Sequence, residues 1–176
     1  MTSKPARYEH ASWDDVPKNI QKLVENMRES RRGLYIHGDV GTGKTHIAYA
    51  INDFLKVQTR FHNTTELIFD IKRDFDRLSY DKMRWDERLS DHKGMLILDD
   101  IGAERMTDYV AEVFYLIINK RYNDMLPIIF TSNLSVGELA ERVGDRTASR
   151  IIEMCDVVKL EGEDRRILHA KQNKQS

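Results

Sequence analysis

Apolar residues along the chain fall into two kinds of segment, and these alternate from end to end. Short apolar runs predict buried strands at residues 33–37, 95–98, 127–130 and 157–160, and a further strand is expected at residues 59–62. Apolar residues at helical spacing predict helices at residues 16–30, 44–57, 107–123, 137–142 and 147–154. A further helix is expected after Asn63 or Thr64, either of which is a suitable cap. Because strands and helices alternate, the pattern predicts an α/β fold whose parallel sheet is covered by helices on both faces.

The polar stretches suggest how the chain is divided. Residues 1–15 are expected to form a polar arm in which Trp13 docks on the rest of the protein. Residues 16–166 form the folded domain, and residues 167–176 form a basic, flexible tail. The most charged internal stretch, residues 72–93, is expected to be a solvated helix with ion pairs.

Composition limits the function classes. The chain has 176 residues, which suits one α/β domain. Acidic and basic residues nearly cancel at a net charge of −1, so bulk charge predicts neither a nucleic-acid nor a membrane partner. No apolar run is long enough to cross a bilayer, and no signal peptide is recognisable. The single cysteine, Cys155, excludes an internal disulfide and fits a reducing compartment, so we expect a cytoplasmic protein.

A glycine-rich turn between the first predicted strand and the next helix carries the clearest chemistry. It matches the pattern G-x-x-x-x-G-K-[ST] and consists of Gly38, Asp39, Val40, Gly41, Thr42, Gly43, Lys44 and Thr45. Consecutive backbone N–H groups and a helix N-terminus suit a polyphosphate, with the lysine on the β- and γ-phosphates and Thr45 on Mg²⁺. The alternative is a structural turn beside a surface lysine. The strand and the helix on either side favour an ATP·Mg²⁺ site.

Polar residues also follow two later strands. Asp99 and Asp100 follow the apolar run at 95–98, and Asn133 follows the run at 127–130. In a parallel α/β sheet, ligands bind at the carboxyl ends of the strands. We therefore expect Asp99 to hold the hydrated Mg²⁺, Asp100 to activate a water, and Asn133 to contact the γ-phosphate. Taken singly, the acidic pair and the asparagine are also common turn residues.

At these motifs the sequence resembles the AAA+ ATPases, and among them the DnaC/IstB-type helicase loaders. The resemblance runs over residues 8–166. Within this range, residues 141–150 and 162–166 are further matching motifs. It implies a P-loop NTPase fold of the AAA+/ASCE type without a substantial C-terminal lid domain. Related ATPases more often carry glutamate where this chain has Asp100, which leaves the hydrolysis rate open.

The resemblance also assigns roles to single residues. It makes Asn133 the first sensor and Arg150 an arginine finger that reaches a neighbouring subunit, so the protein is expected to self-associate. Arg166 is the second sensor, and Arg146 is a weaker candidate for a contact between subunits. A guanidinium supplied from outside the site suits the charge that develops on a γ-phosphoryl group. For each arginine the alternative is a surface ion pair.

The resemblance implies two macromolecular partners, a DnaB-like replicative helicase and single-stranded DNA. The candidate DNA contacts are Arg105, Thr107 and Tyr109, followed by Lys72, Arg73 and Arg77. Each of these residues also fits a solvated helix. Related bacterial loaders carry a helicase-binding domain ahead of the ATPase core. Only about fifteen polar residues precede the first helix here, so we expect either that this domain was removed or that the chain is a naturally short, phage-encoded member that grips its partner in another way.

Four other functions compete with a helicase loader. A nucleoside monophosphate kinase has a similar length and the same loop, but no arginine-rich lid is recognisable. A GTPase is disfavoured, because residues 119–122 lack the aspartate of the base-selecting motif and lie in a predicted helix. An IstB-like transposition helper, or a non-catalytic ATP-binding module, shares the core motifs and stays open.

Overall fold

The computed structural model describes residues 4–55, 59–75, 89, 92–103 and 106–162. The strands of the sheet are β1 (Gly33–His37), β2 (Thr59–Asn63), β3 (Met95–Asp99), β4 (Ile128–Ser132) and β5 (Cys155–Lys159). All strand pairs are parallel, in the order β2-β3-β4-β1-β5. The α-helices are α1 (Lys18–Ser30), α2 (Lys44–Leu55), α3 (Thr64–Phe75), α4 (Asp108–Asn123), α5 (Val136–Val143) and α6 (Asp145–Met154). The predicted parallel α/β fold is confirmed.

Successive residues of each strand face opposite sides of the sheet and enter different apolar clusters. In β3, Leu96 and Leu98 belong to one cluster and Ile97 belongs to the other. Both β3 and β4 are buried along their whole length. These two strands are continuous apolar runs rather than alternating ones because helices cover both faces.

The helices are divided unequally between the two faces. Helices α1 and α2 pack on one face, through residues such as Ile20 and Ile47. Helices α3, α4, α5 and α6 pack on the other, through residues such as Leu67, Phe114 and Ile151. Helix α2 therefore lies on the opposite face of the sheet from α6, and this separates residues 38–45 from Arg150.

Most element boundaries agree with the sequence pattern, and the largest differences are at strand ends. Strand β4 continues to Ser132 because its polar end bonds to the loop after β3: the Ser132 hydroxyl donates to the carbonyl of Ile101 over 2.7 Å. Strand β5 begins at Cys155, two residues before the predicted start, because Cys155 pairs with Gly33. The charged stretch at 72–93 is described only in part: α3 reaches Phe75, and residues 76–88 and 90–91 lie outside the described residues.

The N-terminal segment, residues 4–16, lies against α2. Trp13, the residue expected to dock, stacks on Phe54 with ring centroids 3.6 Å apart. Tyr8 stacks on Tyr49 at 4.8 Å. Lys4 Nζ donates to Asp53 Oδ2 over 2.6 Å, and Val16 is buried in the core. The segment predicted to be an arm thus contacts α2 from Lys4 onward.

Nothing in the described part of the chain forms a domain beyond this sheet and its helices. No helix among the described residues is long and apolar enough to span a membrane.

Candidate nucleotide-binding site

The glycine-rich turn joins the C-terminal end of β1 to the first turn of α2. Gly43 has a φ of +97°, a backbone angle that residues with a Cβ rarely adopt. At Gly38 a Cβ atom would lie only 2.2 Å from the carbonyl oxygen of Leu160, so only glycine fits. The Lys44 side chain is buried, and its Nζ donates to the carbonyls of Gly38 and Asp39 over 2.8 and 2.7 Å. The loop thus has the curved backbone and the buried ammonium that a polyphosphate site needs.

Asp99, at the end of β3, is held between two hydroxyl groups. Thr45 Oγ1 donates to Asp99 Oδ2 over 3.1 Å, and Thr131 Oγ1 donates to Asp99 Oδ1 over 2.6 Å. Thr45 belongs to the first turn of α2 and Thr131 to β4, so this carboxylate joins three elements. The structure brings together the residues that the sequence proposed for Mg²⁺.

The environment of Asp99 suits a cation. Burial raises the pKa of the Asp99 carboxyl, and hydrogen bonds from Thr131 and Thr45 act in the opposite direction. A buried carboxylate beside a hydroxyl oxygen supplies the hard oxygen ligands that Mg²⁺ prefers, and the cation would offset the cost of burying the charge. The donor set therefore fits ATP·Mg²⁺, with Thr45 and Asp99 toward the metal and residues 38–45 toward the phosphates.

Asp100 and Asn133 lie beside this carboxylate. The backbone of Asp100 is left-handed, with a φ of +61°, a conformation that aspartate tolerates better than most residues. Its N–H donates to Thr131 Oγ1 over 2.8 Å, which anchors the turn. Asn133 Nδ2 donates to Asp100 Oδ1 over 3.1 Å. The residues proposed for the attacking water and for the first sensor are therefore direct neighbours.

Strand order explains why these side chains meet. Strand β4 lies between β1, which leads into the phosphate loop, and β3, which ends in Asp99. Residues at the end of β4 can therefore bond to both neighbouring strand ends.

Two residues that the sequence reasoning did not assign to the site also contact Asp99. The Thr64 hydroxyl donates to the Asp99 carbonyl over 2.7 Å, and a hydrogen bond from Asn63 lowers the pKa of the Asp99 carboxyl. Asn63 also caps α3, because its Oδ1 accepts from the N–H groups of Thr65 and Glu66. In the sequence, Asn63 and Thr64 were recognisable only as possible caps of the next helix.

The proposed arginines lie elsewhere. Arg150 is on α6, and its hydrogen bonds are with Asn119 on α4 and with the carbonyl of Arg146. Arg146 is exposed at the start of α6. Arg166 lies outside the described residues. Because α6 packs on the opposite face of the sheet from α2, a role for Arg150 at a phosphate loop requires a second copy of the chain.

The candidate DNA contacts have mixed surroundings. Thr107 is exposed, but its hydroxyl caps α4 by accepting from the N–H of Val110 over 3.4 Å. Tyr109 is partly exposed and lines a small apolar cleft between α3 and α4. Lys72 and Arg73 are exposed on α3, and Arg73 pairs with Asp70 over 2.9 Å. Arg77 and Arg105 lie outside the described residues.

Comparison with known sequences gives a consistent result. The family described as IstB-like ATP binding protein matches residues 6–174. The replicative helicase loader DnaI of Bacillus subtilis (strain 168) is 31% identical over 150 residues, which cover 77% of this chain and 48% of DnaI. The chain spans about half the length of the curated relatives it matches.

Solved structures agree with the sequence comparison. The crystal structure of the DnaC helicase loader has a TM-score of 0.75 and 30% identity, and the match covers 89% of this chain and 100% of that one. The crystal structure of DnaI has a TM-score of 0.73 and 25% identity, with 93% and 94% of the two chains covered. The sheet and its helices are therefore those of the helicase-loader ATPases.

Proposed function

Because the chain belongs to the family of IstB-like ATP-binding proteins, AAA+ ATPases of the DnaC type, we propose that it hydrolyses ATP as an assembling switch in helicase loading. ATP would bind at residues 38–45 together with Mg²⁺. Lys44 would meet the β- and γ-phosphates, and Thr45 and Asp99 would hold the cation, Asp99 through water. The protein would act in the cytoplasm.

One observation carries this proposal: Asp99 is held by both Thr45 and Thr131, while Asn133 bonds to Asp100 beside it. A cation ligand, a candidate base and a neutral amide donor are therefore neighbours at the carboxyl ends of β3 and β4, and the γ-phosphate would lie beside them. Catalysis of phosphoryl transfer depends mostly on such positioning and on charge stabilisation. Asp100 would orient and polarise the attacking water, and Asn133 would hold both the water and the phosphate.

The site of one copy would be incomplete without a neighbour. Arg150 would enter the neighbouring copy's site as the arginine finger, and Arg166 would act as the second sensor of its own site. A finger supplied by another subunit makes hydrolysis depend on assembly, and in GTPases such fingers contribute about 10³–10⁵ in rate. We therefore expect slow turnover in dilute protein.

The proposed partners are a replicative helicase and single-stranded DNA. Support for the helicase comes from the two loaders that the chain resembles. Support for DNA comes from Tyr109, an exposed aromatic at the start of α4, and from Lys72 and Arg73 on α3. Aromatic rings stack on bases and cations meet phosphates in sequence-tolerant single-strand binding.

The helicase proposal is tested by pull-down. Tagged protein is incubated with the replicative helicase of its host, with ATP·Mg²⁺, with ADP or without nucleotide. We expect capture that differs between ATP and ADP and that loses this difference in Lys44→Ala. Capture that is absent under all three conditions would contradict a role in helicase loading. Single-strand binding is tested separately with fluorescent oligonucleotides at several salt concentrations, because phosphate contacts produce a salt slope.

The family description favours one second candidate, an IstB-like transposition helper. The nucleotide site would be the same, and the partner would be a transposase in place of a helicase. A transposase encoded beside the gene, together with capture of that transposase in the same pull-down, would support this alternative.

A further inference from the structure

Arg150 differs from the other described surface arginines in that its guanidinium lies over aromatic rings. Arg150 Nε donates to Asn119 Oδ1 over 2.8 Å, and Nη1 donates to the carbonyl of Arg146 over 3.1 Å. Its guanidinium also lies over two rings of α4, 5.1 Å from the centroid of Tyr115 and 5.7 Å from that of Tyr122. We call Tyr115, Asn119 and Tyr122 the Arg150 cluster.

The cluster holds the guanidinium without neutralising it. An amide oxygen, a carbonyl and two aromatic faces are all uncharged, and within the described residues no carboxylate pairs with Arg150. By contrast, Arg32 pairs with Asp156 over 2.8 Å and Arg73 pairs with Asp70 over 2.9 Å. Arg150 therefore does not have the acidic partner that a structural surface ion pair would require. Arg150 keeps its full charge available for an anion.

The cluster also restricts the direction of the side chain. Nε donates to α4 and Nη1 donates to α6, so two of the three guanidinium nitrogens are hydrogen-bonded. The guanidinium lies over the rings of Tyr115 and Tyr122. Tyr122 is itself fixed, because its hydroxyl donates to Glu153 Oε1 on α6 over 2.7 Å. A long, flexible side chain is thereby ordered before any ligand arrives, and pre-ordering strengthens binding. Among the described residues, Nη2 makes no hydrogen bond, so this nitrogen is left for a further partner.

We propose that Asn119, together with the rings of Tyr115 and Tyr122, is a positioning residue that holds the Arg150 guanidinium oriented, and without an acidic partner, for the γ-phosphate of ATP on a neighbouring copy. This inference rests on the proposed function, because it assumes that Arg150 acts as the finger. The Arg150 cluster on α4 would thereby contribute to catalysis in the neighbouring subunit.

The test compares two asparagines on the same helix. Asn119→Ala removes the acceptor of the Arg150 Nε bond, and Asn123→Ala is the matched control at an exposed position of α4. Phosphate release is measured at a protein concentration where turnover per subunit no longer rises. For Asn119→Ala we expect kcat to fall about tenfold with the KM for ATP unchanged, because the misplaced group acts in the transition state. Asn123→Ala should match the unsubstituted protein in both constants.

A second variant keeps the bond and changes the charge. Asn119→Asp retains an oxygen acceptor for Arg150 Nε but adds the carboxylate that the cluster lacks. If the uncharged surroundings matter, kcat falls in this variant although its thermal unfolding is normal. Normal kcat in Asn119→Asp would overturn the claim that Arg150 must remain unneutralised. The Asn119→Asp variant also keeps the inference testable if the Asn119→Ala protein does not fold.

A mixing experiment locates the effect in the donating subunit. Lys44→Ala copies supply a finger but bind no ATP, and Arg150→Ala copies bind ATP but lack the finger. Mixing the two should restore phosphate release, and Lys44→Ala copies that also carry Asn119→Ala should restore about tenfold less.

The possible results separate the inference from the function on which it rests. If Arg150→Ala lowers turnover and both Asn119 variants do not, the inference fails and the trans finger stands. If Arg150→Ala has no effect, the trans finger itself fails. If Asn119→Ala raises turnover, the cluster restrains Arg150 instead of orienting it, and the inference is overturned.

Discussion

Asn133 and Asp100 are joined by a hydrogen bond of 3.1 Å from the side-chain amide to the carboxylate. They follow different strands, β4 and β3, which lie side by side in the sheet. An amide at this distance fixes the direction of the carboxylate and still has a second N–H for another oxygen. This pair is where we expect the attacking water to be held.

Removing the amide should slow hydrolysis more than it weakens binding. For Asn133→Ala we expect kcat to fall by about 10²-fold or more, as for other donors that act on developing charge, while the KM for ATP changes little. Steady-state phosphate release at saturating ATP measures this, with Asn123→Ala as the control. A variant with normal kcat would show that Asn133 is only a turn residue.

The buried Asp99 should cost stability in the nucleotide-free protein. Burial raises the pKa of its carboxyl above the ordinary 3.8, so the folded protein binds this proton more strongly than the unfolded chain. The free energy of unfolding therefore falls as the pH rises through the window from 3.8 to the raised pKa.

Replacing this carboxylate should reverse the cost. We expect Asp99→Asn to raise the free energy of unfolding at neutral pH by about 0.5–2 kcal/mol and to lose the stabilisation given by ATP·Mg²⁺. Urea unfolding with and without nucleotide measures both effects. A less stable Asp99→Asn protein that ATP·Mg²⁺ still stabilises would contradict this account of the site.

The local parts of the fold were predictable from sequence. Strands β1, β3 and β4 were anticipated because their apolar residues are contiguous, and the phosphate loop because its glycines and lysine lie close together in the sequence. Strand β2 was expected although Phe61 is its one apolar residue. Asn63 acts as the cap that its position suggested.

The contacts between distant segments were not predictable in this way. Thr131 bonds to Asp99 across 32 residues because β4 lies beside β3, and no local pattern specifies that strand order. The stacking of Tyr8 on Tyr49 and the cluster around Arg150 likewise depend on how helices and segments pack. The fold, and no local sequence pattern, brings these side chains together.

Arg121 shows how a buried charge can be structural. Its side chain is fully buried on α4, and its guanidinium donates to the carbonyls of Leu89, His92, Gly94 and Pro127. Burial lowers the pKa of the guanidinium to about 10, so the group is still charged at neutral pH.

Replacing Arg121 should therefore destabilise the protein strongly. We expect Arg121→Met to lower the free energy of unfolding by about 3–5 kcal/mol, because several buried carbonyls lose their donor. Arg121→Lys should recover only part of this loss, since one ammonium cannot reach carbonyls on all sides. A loss below about 1 kcal/mol in urea unfolding of Arg121→Met would contradict this structural role.

The N-terminal segment should add measurable stability through its aromatic contact with α2. The rings of Trp13 and Phe54 are nearly parallel, at 7°, with centroids 3.6 Å apart. A double-mutant cycle of Trp13→Ala and Phe54→Ala should give a coupling of about 0.5–1.5 kcal/mol. Additive effects of the two substitutions would mean that the ring contact does not hold the segment.

The central claim is that ATP·Mg²⁺ binds at residues 38–45 and is hydrolysed in a site that a second copy completes. The most direct test is phosphate release per subunit, measured over a wide range of protein concentration. We predict turnover per subunit that rises with concentration to a plateau, is abolished in Lys44→Ala at every concentration, and stays at the low, dilute value in Arg150→Ala. Turnover per subunit that is constant across the range, or that persists in Lys44→Ala, would contradict the claim.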